Sequence, residues 1–368
     1  MPDLDALLNA APSGLRPLGE KVLGGGRLSL SEGLALARDA NLHWLGRLAN
    51  AVREQRHGDL AYFVNNRHIN YTNVCVARCP LCAFWRAPEA ADAYTLDLQE
   101  TERLARAAAR AGAVEIHIVG GLHPDLPLSY YMETLAVARQ AAPGAALKAF
   151  SAVEIAHLAK REQLALEELL GRMKRAGLGM LPGGGAEIFS PRVRRLVCPN
   201  KPDADAYLAV HRAAHSLAIP TNATILYGHV ETLEERLEHL VRLREAQDET
   251  GGFTALVALA FQPERTRLSH LPGPTGLDDL QTIALARLML DNFPHVKAYW
   301  VTLGPKLAQV ALWYGADDLD GTIGEERVAH EAGADSPTGL TLGDLEALIL
   351  EARRTPTPRD AFYRPLGS

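Results

Sequence analysis

Residues 73–85, NVCVARCPLCAFW, hold Cys75, Cys79 and Cys82, three of the four cysteines of the chain, at C-x3-C-x2-C spacing. Thiolates this close in sequence can wrap one soft metal centre. A structural zinc site needs four ligands, commonly from two paired C-x2-C elements. The only other thiol is Cys198, far downstream in RRLVCPN, and closure of Cys198 with the trio would make a zinc site of that kind. An iron–sulfur cluster on three thiolates is a different object, because one iron keeps no protein ligand and can hold an exchangeable small molecule. Incidental burial is the plainest reading of single cysteines, but a poor one for three so close together in a cysteine-poor chain. The spacing favours the cluster. Cys198, which sits in no motif, reads as a small buried apolar residue.

A loop of this kind needs a rigid frame. Up to residue 58 the chain reads as helical: Ser29 or Ser31 offers an N-cap to LSLSEGLALARDA, and HWLGRLANAVREQ continues the helical spacing. From about residue 60, short apolar runs alternate with amphipathic helical stretches. The runs are HINYTNV (68–74), VEIHIVGG (114–121), LKAFS (147–151), LGMLPGGG (178–185), TNATILYG (221–228), FTALVALAF (253–261), VKAYWVTLG (296–304) and ADDLDGT (316–322). Strict alternation implies parallel strands with right-handed crossovers. Eight units point to an α/β fold of the (β/α)8 TIM-barrel type. The last run is acidic and glycine-rich, so a six-unit or incomplete barrel is the alternative. Chemistry in such barrels sits at the C-terminal strand ends, and the unusual residues fall there. The cysteine loop follows the first run, Gly120 and Gly121 the second, Ser151 the third, Gly183 to Gly185 the fourth, and His229 the fifth. The expected organisation is a helical extension over 1–58, the barrel over 59–335, and a C-terminal helix and tail packing on it over 336–368.

The bulk numbers suit this frame. The chain has 368 residues, 47% of them hydrophobic and 22% charged, with a net charge of −6. That balance offers no broad basic surface to nucleic acid or an anionic membrane. No run of about 18 apolar residues could cross a bilayer. The first residues, with two acids before any base, do not form a secretory signal. Four cysteines give no disulfide framework, so a reducing, cytoplasmic compartment is the simplest setting.

C-x3-C-x2-C directly after the first strand of a β/α barrel resembles the radical S-adenosylmethionine superfamily. The resemblance implies that Cys75, Cys79 and Cys82 hold a [4Fe–4S] cluster whose open iron binds the amino and carboxylate groups of S-adenosylmethionine. One electron would then cleave the sulfonium to methionine and a 5′-deoxyadenosyl radical. Leu81 stands where the family usually has an aromatic residue; a backbone contact to the adenine survives that change, a role for a ring does not, and Phe84 and Trp85 are the rings left to cover the cluster. Over residues 60–335, FVNNRHINYTNVC, VGGLHPDLP, LKAFSAVEIAHLA, LPGGGAEIF, TNATILYGHVET, LSHLPGPTGLDDLQTIALARLMLDN, VKAYWVTLGPKLAQVAL and GADDLDGT resemble the aminodeoxyfutalosine synthase family of the futalosine route to menaquinone. The cyclase acting later in that route and deazaflavin synthase subunits share parts of the set; VKAYWVTLGPKLAQ and GADDLDGT tilt the resemblance to the synthase. It implies that the radical adds to the vinyl carbon of 3-[(1-carboxyvinyl)oxy]benzoate, that the aryl group migrates from oxygen to carbon, and that carboxylate is lost, leaving 6-amino-6-deoxyfutalosine. S-adenosylmethionine is then a co-substrate, and an external one-electron reductant such as flavodoxin or ferredoxin is a partner.

Such a reaction needs an interior without stray hydrogen donors, and groups that grip two carboxylates while pressing the vinyl carbon against C5′. Gly120 and Gly121 resemble the family's glycine-rich contact to the methionine amino group, although GGLHP lacks the acid that often follows. A turn needing positive φ is the structural alternative. Leu81, Ser151 and Glu187 complete the cofactor set. Ser151 also reads as an N-cap with Glu154 as first-turn charge, and Glu187, ending PGGGAE, as a helix first-turn acid. PGGGAE lacks the Lys-Ser/Thr of a phosphate-binding loop. For the substrate the candidates are His117 in an apolar run, His229 at the mouth, and Asn222 and Thr224, which alternate on the fifth strand and face inward. Arg265, Arg267 and His270 join them on the loop after the sixth strand, where arginine suits carboxylate. Asp317, Asp318 and Asp320 lack calcium-loop spacing and read as a turn closed by Asx hydrogen bonds.

Overall fold

The computed structural model describes residues 4–367. Its strands are β1 (Leu60–Val64), β2 (Asn66–Asn70), β3 (Glu115–Val119), β4 (Ala146–Ala149), β5 (Leu178–Met180), β6 (Thr221–Tyr227), β7 (Phe253–Ala260), β8 (His295–Ala298), β9 (Asp318–Gly321) and β10 (Thr355–Pro358). Every named pairing is parallel. β1 and β2 act as one strand broken at Asn65: β2 pairs with β3, while β1 pairs with β9. From β3 the ladder runs through β4 to β5, crosses by the Leu181–Thr221 bridge to β6, and continues through β7 and β8 to β9. The circuit closes over eight strand positions, which is a TIM-type barrel.

Closure depends on Gly321. A Cβ there would lie 2.4 Å from both Val64 O and Asn66 Oδ1, so only glycine lets β9 meet the broken strand. Asn66 Oδ1 accepts from Ile323 N at 2.8 Å, and His68 N donates to Ile323 O at 3.0 Å.

The acidic eighth run is a strand, and its reading as an Asx turn is corrected, with only Asp320 N donating to Asp318 Oδ1 left of that pattern. Each acid is buried and meets its own cation. Asp317 accepts from Arg287 and His295, Asp318 from Arg359 Nε at 2.6 Å, and Asp320 from Lys297 at 3.2 Å. Buried carboxylates persist only when paired in this way. The first strand also differs from its expected span of 68–74. It runs from Leu60 to Asn70, and Thr72 and Val74 already form isolated bridges to Thr95 and Arg86 in the cysteine loop.

Five crossover helices open on side-chain caps from Asp97, Ser151, Asp203, Thr232 and Thr275, which satisfy orphan amides at those helix starts. Four helices occupy Leu4–Asn9, Arg16–Leu23, Leu30–Asp39 and Leu42–His57. Ser29, not Ser31, caps the third of them, through a box with Glu32. The last two lie on the barrel helices Leu233–Thr250 and Gly276–Met289, close enough that a Cβ on Gly33 would sit 2.6 Å from Met289 Sδ. After the helix Leu342–Glu351, the tail adds β10 to the outer edge of β1 in parallel. No helix is long and apolar enough to cross a membrane among the described residues.

Candidate active site

The C-terminal strand ends enclose a cavity of about 330 Å3. Cys75, Cys79 and Cys82 line it, all as free thiols. Their loop is a clasp closed by backbone bonds: Cys75 N to Arg86 O at 3.0 Å, Arg86 N to Asn73 O at 2.7 Å, and Cys82 N to Cys79 O at 3.1 Å. It is fastened to the second strand end by Gly121 N to Thr72 O and Val76 N to Leu122 O, both at 2.9 Å. A Cβ on Gly121 would lie 2.2 Å from Val74 O and 2.8 Å from Cys75 Cβ, and one on Gly120 would lie 2.8 Å from Thr72 O. Neither glycine has positive φ. The turn explanation is therefore corrected: these positions are glycine because the cysteine loop lies directly on their backbone.

The thiols fit a three-thiolate cluster. They are soft donors on one short loop, no fourth thiol lines the cavity, and the backbone amides of Phe84 and Trp85 hydrogen-bond the Cys82 sulfur, as suits an anionic sulfur. Without a metal, burial pushes the Cys79 thiol up to about 12 and raises that of Cys82, so the charged form needs a cation. One is nearby: the Lys201 ammonium acts to lower both. Lys201 itself is held by the buried Glu187 carboxylate. Cys198 ends the helix Pro191–Val197 and lines a side pocket with Arg194 and Asp203 instead.

Glu187 is not a helix first-turn acid; it has φ 48° and precedes the helix that starts at Pro191. Its loop is pinned through Gly183, whose carbonyl accepts from Tyr207 at 2.6 Å and from Thr224 at 2.8 Å. At Gly183, with φ 85°, a Cβ would fall 2.2 Å from Asn222 O.

Ser151 caps its helix through a box with Glu154, but Glu154 does more than charge a first turn. Its carboxylate accepts from Tyr71 Oη at 2.8 Å, Gly120 N at 3.2 Å and Ser151 N at 2.7 Å, tying three strand ends together. Burial pushes this carboxyl up to about 7, against the hydrogen bonds that favour its ionised form. Between its ordinary 4.5 and about 7 the folded chain holds a proton that the unfolded chain releases. The associated stability is thus complete below 4.5 and is lost as pH rises through 7, a span on the order of 3 kcal/mol. Glu154→Gln has no such slope, so its melting temperature is expected to gain on the native protein between pH of about 5 and about 7.5. A difference that stays flat with pH would show that the carboxyl is not so held.

Towards the strand ends the cavity has an apolar waist of Leu226, Val257, Leu259 and Phe261, and further in a polar floor. On the floor His68, His117 and Lys148 stand in register on β2, β3 and β4, and Glu115 and Asp320 line the same end.

Of the residues singled out in the sequence, the cavity wall gathers the three cysteines, Leu81, Gly120, Gly121, Ser151, Glu187, His117, Asn222 and Thr224, together with Phe84 and Trp85. Asn222 and Thr224 face inward but also bond Thr254 and Gly183. Four substrate candidates fall outside it. His229 is spent on structure: its Nε2 meets Leu226 O at 3.0 Å and its Nδ1 accepts from Val230 N. Arg265 and His270 point to solvent, and Arg267 lies over the Trp85 ring at 4.9 Å. Loop arginines have little to gain by leaving water. The sequence reading missed Lys201, Lys148, Glu115, His68 and Tyr299. Lys201 carries no sequence signal, but a charged residue inside a short apolar run, as in LKAFS and VEIHIVGG, is one.

A closed parallel barrel that clasps three thiols over its central cavity defines the class of radical S-adenosylmethionine enzymes. Residues 69–243 match the Radical SAM superfamily, and residues 250–367 match the CofH/MqnC C-terminal region. The chain is 48% identical to the aminodeoxyfutalosine synthase of Thermus thermophilus, over 95% of each chain. It is 41% identical to that of Streptomyces coelicolor, over 95% of this chain and 94% of the other. The chain therefore belongs to the aminodeoxyfutalosine synthase family of radical S-adenosylmethionine enzymes. Among solved structures, methylornithine synthase shares the fold, with a TM-score of 0.74 at 18% identity over 92% of this chain and 97% of the other.

Proposed function

We propose that the protein joins the adenosyl group of S-adenosylmethionine to 3-[(1-carboxyvinyl)oxy]benzoate, with aryl migration and loss of carboxylate, to give 6-amino-6-deoxyfutalosine for menaquinone. The observation that carries this reading is the near full-length similarity to two aminodeoxyfutalosine synthases. A [4Fe–4S] cluster held by Cys75, Cys79 and Cys82 would supply the electron that cleaves the sulfonium, itself drawn from an external one-electron donor of the flavodoxin or ferredoxin type in the cytoplasm.

The chain's own residues do the rest. Gly120 and Gly121 let the cysteine loop lie directly on the second strand end, which sets the thiols at the rim. Ser151 and Glu187 offer polar atoms at cofactor height, and Glu154 fixes the rim they stand on. Leu226, Val257, Leu259 and Phe261 present carbon rather than N–H or O–H groups to the waist, so water is kept from the middle of the cavity. The floor keeps polar groups at the end away from the thiols.

The test is anaerobic turnover of reconstituted protein with S-adenosylmethionine, a reductant and the enolpyruvyl benzoate, read by mass spectrometry. An adduct that retains the adenosyl group is the expected product. Free 5′-deoxyadenosine with no adduct would overturn the assignment and turn attention to the cyclase or deazaflavin chemistry of the same superfamily.

A further inference from the structure

The cavity floor contains a buried cation with donors to spare. Lys148 is 3% exposed, and its Nζ stands 2.7 Å from Glu115 Oε2. The two form a buried ion pair, but an ammonium carries three donors, and Glu115 is its only acceptor among the described side chains. Lys148 lines the cavity, so its donors open into it. Buried donors left over after such a pairing are costly unless something else accepts from them.

Beside it on adjacent strands lie His117 and His68, joined Nδ1 to Nε2 at 3.2 Å. Burial lowers the pKa of both, so the pair is neutral and carries two N–H groups. One is used between the rings. Whichever tautomer forms, the other remains on an outer nitrogen, His68 Nδ1 or His117 Nε2. The floor as a whole is balanced, with Lys148 and Lys297 set against Glu115 and Asp320. What it offers a further carboxylate is therefore unused N–H donors rather than surplus charge.

We propose that Lys148, with the free N–H of the His68–His117 pair, is the recognition site for the aryl carboxylate of the substrate. This rests on the function proposed above. The thiols fix the mouth as the end where C5′ must sit, so the vinyl carbon lies next to it and the ring carboxylate is the most distant group. From the level of Gly120 to that of His117 is three residues along the strand direction, about 10 Å, a span suited to an enol ether carrying a benzoate. The floor thus selects an anionic aryl substrate, and Lys148 sets which end of it points away from the thiols.

The test compares kcat/KM for the substrate and for the same enol ether on a ring lacking the carboxylate. The native protein is expected to prefer the carboxylated compound by about 30-fold or more, the worth of a hydrogen bond to a charged group. Lys148→Met is expected to bring that preference to within about threefold of unity, chiefly through KM. Because Lys148→Met leaves Glu115 buried without its cation, Glu115→Gln/Lys148→Met is measured alongside and should lose the preference equally. Both variants failing to discriminate supports the proposal. A preference kept in the double variant, or an equal loss on both compounds, overturns it. A native protein that forms adduct from neither compound overturns the proposed function, and this inference with it.

Discussion

Cys79→Ser is expected to leave the purified protein without its brown colour, with iron and sulfide far below those of the native chain, and with adduct formation reduced at least about ten-thousand-fold, the scale on which a unit of interdependent catalytic groups fails when one is removed. Cys79 is buried in the clasp, between the backbone of the first strand loop and Lys201. Serine would place a hard, poorly ionised oxygen there, which does not replace a soft thiolate. The companion variant Cys198→Ser should keep colour, iron content and activity, because Cys198 borders the side pocket and not the cavity. Iron retained by Cys79→Ser would sink the three-thiolate reading. Stoichiometric zinc that disappears with Cys198 would replace it with a four-thiol structural site.

Arg359→Met should destabilise the folded protein by about 3–5 kcal/mol, the usual result of stranding one partner of a buried ion pair. Arg359 and Asp318 are both fully buried, and the pair joins the residue after β10 to the strand that closes the barrel. The neighbouring guanidinium is what makes a carboxylate tolerable on β9. Replacing both partners, in Asp318→Leu/Arg359→Met, should recover most of the loss, since an apolar pair of similar volume needs no compensation. Urea unfolding of the three proteins measures this. A loss under about 1 kcal/mol in the single variant would mean that the tail is an appendage and not part of barrel closure.

The alternation of apolar runs and amphipathic stretches was enough to expect a β/α barrel, because side-chain period and strand length are local properties. The cysteine spacing was enough to expect a cluster loop, because a chelating loop is built from neighbours in sequence. Gly120 and Gly121 were legible as positions of note, read as a cofactor contact or a positive-φ turn; the approach of Val74 and Thr72 that makes them glycine was not. The acidic run at 316–322 was the point where local reading failed. Its three carboxylates look like a solvated turn until Arg287, Lys297 and Arg359 are brought to them.

The same division runs through the site. His229, Arg265, Arg267 and His270 have the right chemistry and the right place in the chain, but the loops carry them away from the cavity, where backbone carbonyls, solvent or Trp85 satisfy them. Lys148 was visible as a charge within an apolar run, yet its meaning depends on register: only the alignment of β2, β3 and β4 sets it beside His117 and His68. The sequence by itself determined what is made of neighbours: the thiol loop, the strand–helix period, the caps and the family. The tertiary structure decided what is made of distant residues, namely which buried charges neutralise one another, which strand closes the barrel, and which polar groups meet at the cavity floor. Such pairings are set by strand register and barrel closure, and no local pattern encodes either.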